Sequence, residues 1–406
     1  MNNGRPESGE LVDSASLSFC WDTNPPVVLQ VTPSLAHTGG GVERSTVDIA
    51  RCLMESDATA LVASAGGRLV HELTRARAIH HTMPLASKNL FVIQANARRL
   101  AQLIVGQGVD LVHARSRAPA WSALLAARRT GRPFITTFHG TYNTKGPFKR
   151  WYNSVMARGD RVLANSRFIA GHVVANYNVQ PGRIRVIPRG IDIDKFDPER
   201  VSAERVIQLA QRWRIPDGVP VVMLPGRLTR WKGHELLLNA LAQLNRQKLV
   251  CLLVGSDQGR RHYPIELEKK VHRLGLSQIV RFCDHCDDMP AAYMLTDVVV
   301  SASTDPEAFG RVVAEAQAMG RPVVISDHGG TKEQIIPGKT GWAFEPGDAS
   351  ALAKCLEVAL SLDSRARETL ATASIAQVHA KYNKQAMCSA TLAVYNEVLV
   401  GDRTAA

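Results

Sequence analysis

The chain has 406 residues, 45% of them apolar and 21% charged, which is too long for one ordinary domain and enough to build two sizeable cores. No apolar run reaches the roughly 18 residues needed to span a bilayer. The net charge of +12 lies almost wholly in the first half: residues 1–195 hold 24 Lys/Arg against 13 Asp/Glu, whereas residues 196–406 hold 25 against 24. Between residues 88 and 189 there are 17 basic side chains and two acidic ones, Asp110 and Asp160. A surface of one sign attracts polyanions or an anionic membrane, or is a solvated face kept for solubility.

Residues 1–25 are polar and carry no apolar signal-peptide core, so they read as a loose N-terminal tail on a cytoplasmic protein. Seven cysteines without a disulfide framework fit a reducing compartment. Strands are then expected at Val27–Pro33, Ala60–Ala65, Asp110–Arg115, Phe134–His139, Arg161–Ser166 and Ile184–Pro188, each short and rich in Val or Ile. Helical spacing runs between them, as at Leu90–Val105 and Pro119–Arg129. The polar run around Asp192–Glu199 reads as the join between two domains.

The second half repeats the rhythm, with strands expected at Val219–Pro225, Val250–Gly255, Ile279–Cys283, Asp297–Ser301 and Pro322–Ser326. Helices follow at Gly233–Leu244, Ile265–Leu274, Gly310–Met319 and Ala349–Leu360. Near-continuous apolar strands alternating with helices mean parallel sheets covered on both faces. The expectation is an α/β chain of two doubly wound domains, residues 26–195 and 196–383, with a last helix at 384–400 crossing back to the first.

Ligands of such sheets bind outside the carboxyl ends of the strands, and the unusual residues gather there. Arg227 and Lys232 stand on a strand-to-helix loop, where a forked cation and a point cation suit a diphosphate, although both could be plain loop charges. Gly310 stands where a helix should start and offers free N–H groups to phosphate oxygens. Glu307 precedes that helix. Glu315 falls within it beside apolar neighbours, so it needs either a ribose diol or a nearby Arg. Gly329-Gly330 permits close backbone approach to a ligand.

In the first half, Gly39-Gly40-Gly41 opens a helix, but without the Gly-x-Gly-x-x-Gly fingerprint of dehydrogenases. His139 ends a strand; alone, such a His is more often structural. Two patterns mimic metal sites. Cys283-Asp-His-Cys286 lacks a second ligand pair, and Asp192-Ile-Asp194 lies in the hinge beside Arg189-Gly190. No metal is expected.

Together, Gly39–Gly41, His139-Gly140, Asn165-Ser166, Arg189-Gly190-Ile191-Asp192, Gly226-Arg227 with Lys232-Gly233, the Glu-x7-Glu of Glu307 and Glu315, and Gly329-Gly330 with Glu333 resemble family 4 of the retaining glycosyltransferases, whose fold is GT-B, two facing Rossmann-like domains. The resemblance spans about residues 27–345. It implies that Arg227 and Lys232 bind the donor diphosphate, that Glu315 holds the ribose and that Glu307 faces the donor sugar. It also implies that Gly41 and the backbone of Phe309 and Gly310 touch phosphate or sugar, and that His139 lies near the transferred sugar. The chain departs from the family's pattern at Arg189, where Asn is frequent.

The stretch from His113 to Trp121 resembles a bacterial subgroup that builds lipopolysaccharide core or related envelope glycans, often from mannose donors. The resemblance therefore implies a metal-independent hexosyltransferase needing no cofactor beyond a nucleotide-diphosphate sugar. Its acceptor would be lipid-linked or a glycan, met at the inner face of the cytoplasmic membrane through a basic face bearing Lys145, Lys149 and Arg150. The rival readings are a nucleotide-sugar epimerase on the same architecture and a nucleic-acid-binding protein. The basic half shows neither a recognition helix nor an aromatic stacking stripe, so no nucleic acid is expected.

Overall fold

The computed structural model describes residues 19–22, 24–36, 41–142, 146–244 and 248–405. Most of the 1–25 tail, Gly39, Gly40 and Lys145 lie outside them. The first sheet contains β1 (Val27–Val31), β2 (Thr59–Ser64), β3 (Ile79–Thr82), β4 (Leu111–Ala114), β5 (Phe134–Phe138), β6 (Arg161–Ala164) and β7 (Ile184–Val186). All its pairings are parallel, in the order β3-β2-β1-β4-β5-β6-β7. The second contains β8 (Val221–Pro225), β9 (Val250–Val254), β10 (Val280–Cys283), β11 (Val298–Ser301), β12 (Val323–Ser326) and β13 (Trp342–Phe344). It is likewise parallel, in the order β10-β9-β8-β11-β12-β13.

The central strands are buried almost end to end, which is why they read as largely apolar runs. Each is a residue or two shorter than its apolar run suggests. The two strands absent from the sequence reading, β3 and β13, are both at sheet edges. β3 reads Ile-His-His-Thr and β13 has three residues, so neither carries an apolar run to detect.

One device recurs at the amino ends of the sheets. Asp110, Asp160 and Asp297 stand just before β4, β6 and β11. Their carboxylates accept the first N–H of the neighbouring strand, from Val27 at 2.9 Å, Phe134 at 2.7 Å and Val221 at 2.8 Å. The amino ends are thus closed by protein groups, and the carboxyl ends are left to the loops.

Apolar layers cover both faces of each sheet. One layer on the first sheet is completed by the helix Lys384–Ala405, which buries Met387, Cys388, Leu392 and Tyr395 against β-strand and helix residues of the first half. Tyr395 Oη meets His113 Nδ1 at 2.6 Å, and Glu397 pairs with Arg161 at 2.8 Å and Arg185 at 2.5 Å. The helix Ser364–Lys381 before it packs on the second domain, with Val378 in that core. Among the described residues, no helix is long and apolar enough to cross a membrane.

Candidate active site

The strand order reverses between β1 and β4 in the first sheet and between β8 and β11 in the second. A crevice opens at such switch points, and the candidate residues leave the carboxyl ends of these strands and of β5. On the second domain, β8 ends at Pro225 and the chain runs through Gly226, Arg227 and a short 3-10 turn, Arg230–Lys232. β11 ends at Ser301 and leads through Glu307 to the helix Arg311–Ala318.

Lys232 and Glu307 meet here. Lys232 Nζ lies 2.8 Å from Glu307 Oε1, with both side chains nearly buried. The same carboxylate accepts the Ser303 hydroxyl at 2.5 Å and the Ser301 hydroxyl at 3.4 Å. Burial alone would raise the Glu307 carboxyl, but the charge and hydrogen bond of Lys232, together with the two serines, hold it below its ordinary value. Arg227 is exposed and, among the described residues, its side chain has no partner. One cation of the expected diphosphate pair is therefore latched and the other free.

Gly310 caps the helix Arg311–Ala318 in the left-handed region, at φ 83°, where a Cβ would strike the Thr331 methyl; no other residue type fits well. The helix starts at Arg311, one residue beyond the sequence expectation. Among the described residues no hydrogen bond engages the N–H groups of Gly310, Arg311 and Val312, which leaves a place for an anion. The Phe309 carbonyl is taken by Gln334 Nε2, and its ring packs against Tyr382. Glu315 accepts the Tyr293 hydroxyl at 3.0 Å and lies 3.4 Å from Arg311 Nε. Both readings of Glu315 thus meet in one place: it has an arginine partner and stays partly open, with 13% of its side chain exposed.

On the first domain, the helix Gly41–Glu55 begins at the end of the β1 loop. His139 follows β5. Its Nδ1 lies 2.6 Å from Arg189 Nη2, while Nη1 of the same guanidinium donates to the Gly41 carbonyl at 2.7 Å and to Ser45 Oγ. Arg115, fully buried, donates to Ser45 Oγ at 2.9 Å and to Gln30 Oε1 at 2.9 Å. Burial and the neighbouring Arg115 and Arg311 lower the Arg189 guanidinium to about 9. Burial, then Arg189, Arg115 and His113, depress His139 well below the ordinary imidazole value. Sequence reasoning noticed Arg189 as part of the hinge motif and as a departure from the family's pattern, and gave neither it nor Arg115 a role; a basic residue inside an apolar strand-end stretch was the available signal.

The two halves touch across the cleft. A Cβ on Gly41 would stand 3.6 Å from Arg311 Cδ and 4.0 Å from Arg189 Nη2. A Cβ on Gly330 would stand 3.0 Å from Ser166 Cβ and strike the Ala308 carbonyl, so Gly330 allows the domains their close approach. Glu333 reaches over to cap the helix Arg167–Tyr177, accepting N–H groups of Arg167 at 2.9 Å and Phe168 at 2.7 Å.

The acidic hinge pair is spoken for: Asp192 binds Lys384 at 2.8 Å and Asp194 binds Arg200 at 3.1 Å. Cys283 is buried, and burial pushes its thiol up to about 12. Among the described residues no group of three or more His, Cys, Asp or Glu is placed to hold a metal ion. Lys149 and Arg150 lie exposed on the helix Pro147–Asn153.

Comparison with known proteins agrees with this layout. The family model described as Glycosyltransferase Family 4 matches residues 39–195, and the one described as Glycosyl transferases group 1 matches residues 207–376. A glycosyltransferase structure from Rickettsia africae superposes with a TM-score of 0.86 at 37% identity, over 93% of this chain and 99% of that one. The chain belongs to glycosyltransferase family 4. Its architecture is GT-B, with the two Rossmann-like domains face to face.

Among curated relatives of this family-4 chain, D-inositol 3-phosphate glycosyltransferase 2 of Catenulispora acidiphila is 31% identical over 61% of the chain. The match spans 62% of that relative's own length. Anabaena HepE, solved with UDP-glucose, shares the fold at a TM-score of 0.80 and 23% identity, over 92% of this family-4 chain and the whole of HepE.

Proposed function

We propose that the protein transfers a hexose from a nucleotide-diphosphate sugar to a phosphorylated acceptor with retention at the anomeric carbon, and that it needs no metal. The observation that carries this reading is the convergence of Arg227, Lys232 and the open N–H groups of Gly310–Val312 at the β8/β11 switch point, opposite Gly41 and His139. A departing nucleoside diphosphate gains negative charge as its bond to the sugar breaks, and fixed cations and helix N-terminal amides in a closed cleft stabilise that charge without reorganising. Glu307, anchored by Lys232 and two serines, is placed to accept hydroxyls of the donor sugar, and Glu315 to accept those of the ribose.

The acceptor side of the reading rests on the first domain, which holds nearly all of the net positive charge. The family-4 relatives named as inositol-phosphate glycosyltransferases support an anionic acceptor. A lipid-linked envelope glycan, lipopolysaccharide core included, remains our proposal for its larger class, with mannose among the candidate sugars. The helix Pro147–Asn153 favours delivery at an anionic membrane. Its Phe148 and Trp151 are 74% and 48% exposed beside the exposed Lys149 and Arg150, a pairing of apolar and basic side chains suited to a lipid headgroup layer.

A panel of UDP-, GDP- and ADP-sugars, with and without inositol phosphate or lipid-phosphate acceptors, tests the reading by nucleoside-diphosphate release and by the anomeric configuration of the product. It should persist in excess EDTA. Isomerisation of the donor without transfer, inversion at the anomeric carbon, or loss with chelator and recovery with Mg²⁺ or Mn²⁺ would each remove the corresponding part of it.

A further inference from the structure

Arg189 stands at the hinge, yet its guanidinium does not face the acidic residues there. It reaches back to His139 Nδ1, the Gly41 carbonyl and Ser45 Oγ. A guanidinium has donors and no acceptor, so the His139 Nδ1 it contacts must be the unprotonated nitrogen. The proton of the neutral ring then sits on Nε2. That nitrogen is buried and, among the described residues, has no partner. A buried N–H left without an acceptor is costly unless a ligand group takes it.

The rest of the network holds Arg189 in place. The Ser45 hydroxyl donates to the Val42 carbonyl at 3.1 Å and accepts from both Arg189 and Arg115. Arg115 is in turn fixed by Gln30 on β1. One chain of contacts thus joins β1, the loop after β4, the end of β5, the first turn of Gly41–Glu55 and the hinge.

We propose that Arg189 is a positioning residue for sugar transfer, locking His139 in the neutral Nε2–H tautomer so that this N–H can donate to an oxygen of the bound sugar, and pinning the Gly41 turn beside it. This rests on the reading of the cleft as a sugar-transfer site. Charged and titratable groups around His139 come from each neighbouring element: Arg189 from the hinge, Arg115 after β4, His113 on β4, and Tyr142, hydrogen-bonded to the His139 backbone. Protonating Nδ1 would break the bond to Arg189 and set a third cation beside the two guanidiniums of Arg189 and Arg115. Removing Arg189 therefore raises the affinity of His139 for a proton and brings its titration toward the ordinary value.

The test uses the full chain, Arg189→Met and Arg189→Lys, assayed with whichever nucleotide sugar of the panel is turned over most rapidly. Arg189→Met should lower kcat by roughly tenfold to a hundredfold, by analogy with losing the partner that orients a metal-bound imidazole, with the donor KM little changed. An acid limb should appear in its kcat profile at a higher pH than in the wild type, because one of the cations that depress His139 is gone. Arg189→Lys, which keeps a donor and a charge, should recover part of the rate. His139→Ala should add little in the Arg189→Met background, because the two act as one unit.

Imidazole ¹⁵N NMR reads the same lock without turnover: wild-type His139 should show the Nε2–H tautomer and stay neutral through the ordinary imidazole range. A wild-type Nδ1–H tautomer, independent losses in the double variant, or a pH profile unaltered in Arg189→Met overturns the proposal. If the tautomer is as stated but no nucleotide sugar reacts, the transferase reading fails and the lock stands.

Discussion

The ammonium of Lys232 is held 2.8 Å from the carboxylate of Glu307, and that carboxylate also takes the hydroxyls of Ser303 and Ser301. A diphosphate arriving at this place meets a cation that is already oriented and a carboxylate that is already neutralised. Arg227 has no such partner among the described residues.

The contrast separates two substitutions. Lys232→Ala leaves Glu307 buried without its counter-charge, so it should reduce both activity and stability. The stability loss should approach the 3–5 kcal/mol, on the order of magnitude, seen when one member of a buried pair is removed. Arg227→Ala should leave the melting temperature unchanged while costing activity about 2–4 kcal/mol in transition-state stabilisation, by analogy with the loss of one oxyanion donor. Thermal melts and kcat/KM on the same preparations check both, and a melting temperature equally low in the two variants would count against the distinction.

Glu307 also fixes a pH dependence. Its folded-state carboxyl is held below the ordinary value, because Lys232 and the serines outweigh burial. The unfolded chain then binds a proton more readily than the folded one. The stability Glu307 contributes is fully present above its unfolded pKa of about 4.3 and is lost as pH falls through the lower folded value. Glu307→Gln should flatten that part of the stability curve, as measured by urea unfolding at stepped acidic pH.

Glu333 binds the N-terminus of the helix Arg167–Tyr177 from the opposite domain. Ser166 caps the same helix from within, through Ile169 N at 3.1 Å, so removing Glu333 should not unfold it. We expect Glu333→Ala to cost about 1 kcal/mol, the typical worth of a helix cap, and to loosen the contact between domains. Small-angle scattering with and without a nucleoside diphosphate would register a wider spread of domain separations in the variant.

The basic face makes a separate prediction. Changing Lys145, Lys149 and Arg150 to Glu should abolish co-sedimentation with anionic liposomes, and Phe148→Ser with Trp151→Ser should weaken it even at low salt. Wild-type binding should fall as salt rises, because screening shortens the field of the lysines and arginines. Equal binding to neutral and anionic vesicles would favour a soluble acceptor.

The fold was legible because strands buried on both faces of a parallel sheet are mostly apolar, as β1, β4, β5, β8, β9, β11 and β12 are, with few polar exceptions such as Gln30 and His113. The edge strands β3 and β13 escaped because an edge needs no such run. Around the site, sequence reasoning reached the residues that stand on strand-end loops, Arg227, Lys232, Glu307, Gly310 and His139. It missed what those residues touch. That Arg189 would turn back to His139, or that Tyr293, distant in the chain, would donate to Glu315, is set by where the loops converge in space. The spacing of one-dimensional patterns carries no record of that.

The helix Lys384–Ala405 imposes an order on biosynthesis. Strands β1 to β7 leave the ribosome first, but the apolar layer that takes in Cys388, Leu392 and Tyr395 stays incomplete until the last helix emerges. The half that is translated first is therefore finished last, after the other half has had time to collapse on its own core. Until then it carries an open apolar surface, the condition under which nascent chains aggregate or recruit chaperones. Closing it brings together residues such as His113 and Tyr395, 282 positions apart, and contacts of that sequence separation form slowly.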